Sequence, residues 1–454
     1  MPSSTTPFSA STSAALERQA LDKQVADRIP GVAAAVARDG VLRWWTGVGS
    51  ADLAEPDRSP DADTQFEVAS NTKTFVAATI MRLRDEGRLS LDDTVDRHVP
   101  GAGHSGATIR QLLSHTSGMQ REPVGDVWDT LEFPDVEGLV SGWNEAERVL
   151  PPRVRWHYSN LCYAMLGRVI AELDGGDWFA SVRRRFLEPL GMRRTTLGLS
   201  GRRAVGYFVP PWTDVPVVEP SIAPSAMSPA GGICSTLIDM ATWHGFLAAP
   251  DAEILSPDSV EEMVQPQTMA DPAGWTQAYG LGLQLIRRDD RTWVGHTGGH
   301  PGFITGFFTD RDTATTGLFM ANQSATTNPG GLATALGSYA VEHEPVLPSP
   351  WRPGTEVPEE LRPLLGRWFS EGQPFVFSVR EGRLEARVDL PSVTEPSRFE
   401  LVSPDVYRTV AGRERGELLR IRRDADGRVT AFNWATYLFT REPYAFGEWL
   451  RARD

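Results

Sequence analysis

Phe66-Glu67-Val68-Ala69-Ser70-Asn71-Thr72-Lys73 runs directly into Thr74-Phe75-Val76-Ala77-Ala78-Thr79-Ile80-Met81-Arg82-Leu83-Arg84-Asp85-Glu86, an amphipathic stretch that reads as a helix and stops at Gly87. Ser70 and Lys73 stand three residues apart at its start, so they share one helix face and the amine reaches the hydroxyl. A serine hydroxyl is a weak nucleophile until a neighbour takes its proton. Lysine does that only when burial or another cation lowers its pKa. The pair therefore asks for a closed, partly apolar pocket that the rest of the chain must supply. Taken alone, it also fits an N-cap serine followed by a solvated lysine.

Two distant segments answer that demand. Tyr158-Ser159-Asn160 follows a loop rich in proline and arginine and precedes a helix expected over Leu161 to Leu173, where Ser159 or Asn160 would make an ordinary N-cap. His296-Thr297-Gly298-Gly299 lies between two strand-like segments, Arg291 to Val294 and Phe303 to Phe308. By composition alone it reads as a glycine-rich turn. Ser-x-x-Lys, Tyr-x-Asn and His-Thr-Gly, in that order and widely separated, are hard to explain as three accidents.

With these residues the chain resembles the serine β-lactamase and penicillin-binding-protein superfamily. It is most similar to the class C-like branch, which holds D-aminopeptidases, DD-carboxypeptidases, lactamase-fold esterases and acyltransferases. Supporting phrases are Thr108-Ile109-Arg110-Gln111-Leu112-Leu113-Ser114-His115-Thr116-Ser117-Gly118, Phe186-Leu187-Glu188-Pro189-Leu190-Gly191-Met192 and Ala230-Gly231-Gly232-Ile233-Cys234-Ser235-Thr236. The likeness runs from about residue 15 to 345.

The resemblance implies an acyl-enzyme on Ser70. Lys73 and Tyr158 would share the proton work, with Tyr158 as a phenolate or as a relay beside the ammonium. Asn160 would hydrogen-bond Lys73 and the substrate's amide. The N–H groups of Ser70 and Gly299 would form the oxyanion hole, glycine at 299 allowing close backbone approach. Thr297 and Gly298 are expected at the substrate, and Trp156 either at the substrate or packed in the core. His296 stands where the lactamases usually carry lysine, and a neutral imidazole attracts a free carboxylate less than a permanent cation does. That argues against an efficient β-lactamase. Hydrolysis of an ester or amide is the expected reaction, in the manner of an esterase, D-aminopeptidase or DD-peptidase. The alternatives are transfer of the acyl group to an amine, as in a transacylase or off-loading thioesterase, and a silent β-lactam sensor.

His115 reads as part of a structural turn, and His300 as an entrance residue or a strand cap. None of the eight histidines forms a metal-binding pair, no nucleotide loop appears, and no metal or cofactor is expected. The net charge of −14 disfavours nucleic acid and anionic membranes as partners, leaving a small-molecule or peptidyl acyl substrate. Cys162 and Cys234 read as buried free thiols. Without a basic, apolar leader at the start or an 18-residue apolar run, a cytoplasmic setting is expected.

The expected fold class is α+β: a β-lactamase-like antiparallel sheet flanked by helices, an all-helical lobe over about residues 70–260, and a small C-terminal β-barrel of lipocalin-like form. Residues 1–13, rich in serine and threonine, are expected to be disordered. The catalytic domain spans 14–345, beginning with a helix from Ala14 to Asp27 and a hairpin, Val32 to Arg38 with Val41 to Val48. One strand is expected over Tyr279 to Ile286, another over Thr315 to Ala321, and a closing helix near Gly331 to Glu342. A proline-rich linker covers 346–358. The barrel domain covers 359–454, with strands at Phe375–Val379, Arg383–Val388, Phe399–Val402, Glu417–Arg422 and Arg428–Phe432, and a hairpin turn at Asp426-Gly427.

Overall fold

A computed structural model of the chain describes residues 7–103, 106–347, 350–354, 356–391 and 395–445. It divides into two compact units, residues 1–346 and 347–454.

In the first unit an eight-stranded antiparallel sheet runs in the order Val41–Gly49, Gly31–Arg38, Thr315–Ala321, Phe303–Asp310, Arg291–His300, Gln284–Arg288, Gln277–Tyr279, Thr268–Met269. First and last thirds of this unit thus build one sheet. Its central strands are covered on both faces, which is why Gly31–Arg38 reads as a continuous apolar run rather than an alternating one. Val32, Ala34 and Val36 face the helices Ala10–Asp27 and Pro329–His343 through Leu16, Ala20, Leu336 and Ala340. Ala33, Ala35 and Ala37 face the opposite way, into the larger core shared with the helix Leu237–Ala248 and the helical lobe.

Three local expectations change. Residues 1–6 lie outside the described residues, but 7–13 are ordered: Phe8 is buried, and Ser9 caps a helix that starts at Ala10, four residues before the expected Ala14. The serines and threonines there act as cap and first turn, which composition alone does not distinguish from a disordered tail. The segment from Tyr279 to Ile286 is two strands, because Gly280 to Leu283 turns the chain with Gly282 at φ +80°. The His296-Thr297-Gly298-Gly299 segment is not a turn. It lies inside the strand Arg291–His300, and the reversal comes later, at Pro301-Gly302.

The second unit is an eight-stranded meander, Gly366–Ser370, Gln373–Arg380, Arg383–Val388, Ser397–Ser403, Val406–Ala411, Leu418–Arg423, Val429–Trp434 and Tyr437–Phe439. The first strand meets the residue just past the last one through paired bonds, Phe369 N to Thr440 O at 2.8 Å and Thr440 N to Phe369 O at 3.0 Å, which nearly closes the sheet into a barrel. Eight strands leave a bore that side chains can fill. Trp368, Phe375, Phe377, Phe399, Phe432, Trp434 and Phe439 fill it. Among the described residues of 350–358 there is no regular secondary structure.

Candidate active site

Ser70 sits in a single 3-10 turn, Ala69–Asn71, at the entry to the helix Thr72–Asp85. The turn is fixed from below. Asn71 Nδ2 donates to Val68 O and to Thr305 Oγ1, both at 3.0 Å, tying it to the strand Phe303–Asp310. Ala69 holds a left-handed φ of +49°, strain of a kind that a small side chain tolerates best. The neighbouring strand comes so close that a Cβ at Gly298 would lie 2.2 Å from Val68 O. Close approach therefore explains the glycine at 298, whereas a Cβ at Gly299 would only touch Ile304 Cδ1, 3.3 Å away. Gly298 is buried behind the site, away from substrate, and Gly299 is exposed at the cavity wall.

Lys73 is fully buried. Its Nζ lies 3.1 Å from Ser70 Oγ, 2.8 Å from Asn160 Oδ1 and 2.6 Å from Ala230 O. Burial pushes its pKa well below the ordinary value; the Arg121 charge acts the same way, and Glu122 opposes both. A neutral amine has two hydrogens and one lone pair. Two carbonyl oxygens, which only accept, take the hydrogens and leave the lone pair facing the Ser70 hydroxyl.

The helix Asn160–Asp174 starts as expected, with Ser159 as the N-cap accepting from Cys162 N. This start delivers Asn160 to Lys73. Its Nδ2 donates to Glu122 Oε1 at 2.7 Å, so both ends of the amide are already engaged by protein groups. Nδ2 carries a second hydrogen that these bonds leave unused, and Asn160 lines both cavities beside Ser70. Tyr158 carries its hydroxyl to Ser70 by a hydrogen bond, and its ring lies 4.8 Å from Lys73 Nζ. Burial of the hydroxyl raises the Tyr158 pKa, outweighing the Ser70 bond and the Arg121 charge, which favours the relay over the phenolate.

His296 has no free ring nitrogen. Nδ1 donates to the Thr297 carbonyl, which only accepts, and Nε2 accepts from the Tyr279 hydroxyl at 3.0 Å. Burial and the Lys73 charge lower its pKa to about 3, so it is a neutral wall of the site. Its ring is 6.2 Å from that of Tyr158, and it does not donate to it.

Ser70 opens onto two cavities. On one side lie Arg121, Trp156, Tyr158, Gln284, His296 and Thr297. On the other, an open space of about 730 Å³ is walled by Trp128, Phe133, Ile222, Met227, Glu67 and His300. Thr297 and Trp156 line the first of these cavities. Sequence reasoning missed Glu122, which lines both cavities, and Tyr279. It also took His115 only for a turn. His115 does hold a left-handed φ of +57°, yet its ring lies tilted against that of Tyr158, with centroids 4.3 Å apart, and its Nδ1 accepts from Ser159 N. The short capped helix Ile109–Leu113 places it. No single motif signals these residues, because each acts through a partner far away in the chain. Cys162 and Cys234 are buried free thiols. Among the described residues no cluster could hold a metal, and no helix is long and apolar enough to cross a membrane.

The model of the family described as Beta-lactamase matches residues 15–341. The chain belongs to the Beta-lactamase family. Beyond that match, the model called Domain of unknown function (DUF7586) covers residues 357–441. This Beta-lactamase-family chain is 31% identical over 316 residues to the unguisins hydrolase ungD' of Aspergillus campestris, covering 62% of the chain and 57% of that protein. Protein flp of Staphylococcus aureus is 26% identical over 282 residues, 60% of the chain and 55% of its own length. The chain thus spans little more than half of these curated relatives. The octameric penicillin-binding protein homologue from Pyrococcus abyssi superimposes with a TM-score of 0.65 at 22% identity, over 94% of this chain and 99% of that one. The D-stereospecific amidohydrolase from Streptomyces sp. does so with a TM-score of 0.60 at 26% identity, over 71% and 97%.

Proposed function

We propose that the chain is a serine hydrolase of amides or esters that works through an acyl-Ser70 intermediate, with neutral Lys73 as the general base. The observation that carries this reading is the placement of buried Lys73: its Nζ lies 2.8 and 2.6 Å from two carbonyl acceptors and 3.1 Å from Ser70 Oγ, so that a neutral amine aims its lone pair at the hydroxyl. Ser70 Oγ bonds to the substrate carbonyl carbon as its proton passes to Lys73. The carbonyl oxygen becomes an anion facing the N–H groups of Ser70 and Gly299, where a single donor is typically worth roughly 10²–10³ in rate. Tyr158, as a phenol, relays the Lys73 proton to the departing amine or alcohol. Water then repeats the sequence, releasing the acid and freeing Ser70. Asn160 holds Lys73, and His296 positions the strand that carries Thr297 and Gly299.

The acyl group we favour carries a free amine. Glu122 leaves Oε2 buried without a partner beside both cavities, and an ammonium would satisfy it. The amidohydrolase and hydrolase names among the similar proteins support hydrolysis itself and do not bear on the amine. The test compares amino-acyl para-nitroanilides with their N-acetyl counterparts, alongside fluorophosphonate labelling of Ser70. Labelling with at least a tenfold preference for the free amine is the expected result. No labelling sinks the whole reading, and labelling without that preference sinks the amine.

Acyl transfer is a second reading, supported by the open Tyr158-side cavity, which admits an acceptor larger than water. Acyl-enzyme decay that ignores every added amine counts against it. We carry the cytoplasmic setting forward as part of the proposal, to be tested by fractionation. The domain division at 345–359 is likewise a proposal, tested by limited proteolysis.

A further inference from the structure

The cavity opposite Tyr158 combines apolar walls with polar groups that the chemistry above does not use: Ser221, Ser225, Ser228 and the His300–Glu67 pair. Trp128 and Phe133 meet edge to face, with ring centroids 5.3 Å apart, and Ile222 and Met227 add aliphatic surface. Such walls suit an aromatic acyl side chain. Into the same cavity comes His300, next after Gly299 on the strand. His300 Nδ1 is hydrogen-bonded to Glu67 Oε2, and both side chains are largely shielded, with 14% and 9% of their surface exposed.

A carboxylate only accepts, so it fixes the proton of neutral His300 on Nδ1. Nε2 is then an acceptor, and no described residue donates to it. Glu67 is itself held in place by the short strand Phe66–Glu67, which pairs with Ile233–Ser235 beside the Ser70 turn. The ring can therefore not simply rotate to exchange its nitrogens without breaking the Glu67 bond.

We infer that His300, oriented by Glu67, selects acyl groups whose aromatic side chain carries a hydrogen-bond donor, such as a phenol. This rests on the acyl-Ser70 reading but not on the amine preference. A site built to accept from a donor leaves its own acceptor unpaired when the donor is missing, and that penalty gives the discrimination.

The test uses three activated esters of one leaving group: the para-nitrophenyl esters of para-hydroxyphenylacetic, phenylacetic and para-methoxyphenylacetic acid. The burst of para-nitrophenol reports Ser70 acylation at alkaline pH, where imidazole is neutral. The hydroxy ester should acylate about tenfold faster than the other two, one hydrogen bond's worth. His300→Ala should bring the three within about twofold, and a small fluorophosphonate should still label Ser70, which shows that the variant is folded. Glu67→Gln, which keeps the shape but frees the tautomer, should reduce the preference in the same direction. A wild-type burst with equal rates for all three, or a preference untouched by both substitutions, overturns the inference. Absence of any burst in the wild type overturns the acyl-Ser70 reading, and this inference with it.

Discussion

The chain holds two eight-stranded antiparallel sheets, both with apolar cores, and the first also buries a cluster of titratable side chains around Ser70. The open sheet of the first unit is sealed by helices and keeps Lys73, His115, His296 and the Tyr158 hydroxyl out of water around Ser70. The barrel seals itself and fills its bore with aromatic rings. Burial in the first costs stability for each polar group and shifts its protonation, which is what acid–base chemistry needs. Burial in the second yields cohesion and no reactive group. Similar strand counts thus serve chemistry in one place and packing in the other.

The sharpest break of that comparison is made at the nucleophile. Ser70→Ala should cut turnover by roughly 10⁴–10⁶-fold, and fluorophosphonate labelling should vanish. Lys73→Arg should cost about 10²–10⁴ because a guanidinium cannot give up its proton to become a base. Lys73→Met should be equally inactive, yet its denaturation midpoint should be no lower than that of the parent, since a buried amine is removed. A clear loss of stability in Lys73→Met would contradict the view that this site is paid for by the rest of the fold.

The barrel should behave in reverse. Phe377 is 1% exposed and its ring meets those of Phe399, Phe432, Trp434 and Phe439. Phe377→Ala should cost about 3–5 kcal/mol of barrel stability in denaturant unfolding of the full chain. Ser70 labelling in native buffer should not change.

Acid comes next in size. His296 and His244 are both buried, each with its pKa lowered to about 3 from an ordinary value near 6.5. The unfolded chain therefore binds their protons first. Stability from these neutral rings is full above about pH 6.5 and is lost as pH falls toward 3, at up to ~1.4 kcal/mol per pH unit for each ring. Thermal midpoints across that window should fall, and less steeply in His244→Gln. Within the same unit, acylation should also fail as pH drops through the lowered Lys73 value. It should show no further rise below the ordinary tyrosine range, because Tyr158 stays a phenol. The smallest effect is local: Ser159→Ala removes the cap of the Asn160 helix and should cost about 1 kcal/mol, read as a midpoint shift.

Much of this was legible in residues whose local and distant roles agree. Ser70 and Lys73 lie on one helix, and the helix after Tyr158 begins where the cap chemistry says. The strand Thr315–Ala321 has the bounds its apolar run implies. Legibility failed where tertiary approach overrides composition. Gly298 belongs to a strand because the Ser70 turn presses against it, and no neighbour in sequence announces that. The barrel strands Gly366–Ser370, Val406–Ala411 and Tyr437–Phe439 were missed because they are short or broken by charge. Glu122 is visible only once Asn160 folds onto it. The protonation of Tyr158 also depended on the enclosure, since a lysine neighbour in sequence says nothing about how much water remains.

The seam between Phe369 and Thr440 has one more consequence. A closed ring offers no free edge to another chain, so the intact barrel is protected from strand-to-strand aggregation. Among the described residues that seam has one backbone bridge, next to the three-residue strand Tyr437–Phe439, with Arg441 adding side-chain bonds to Arg367 O and Pro363 O. If that strand frays, two edges appear at once, and clumping on heating or storage should begin there rather than in the catalytic body.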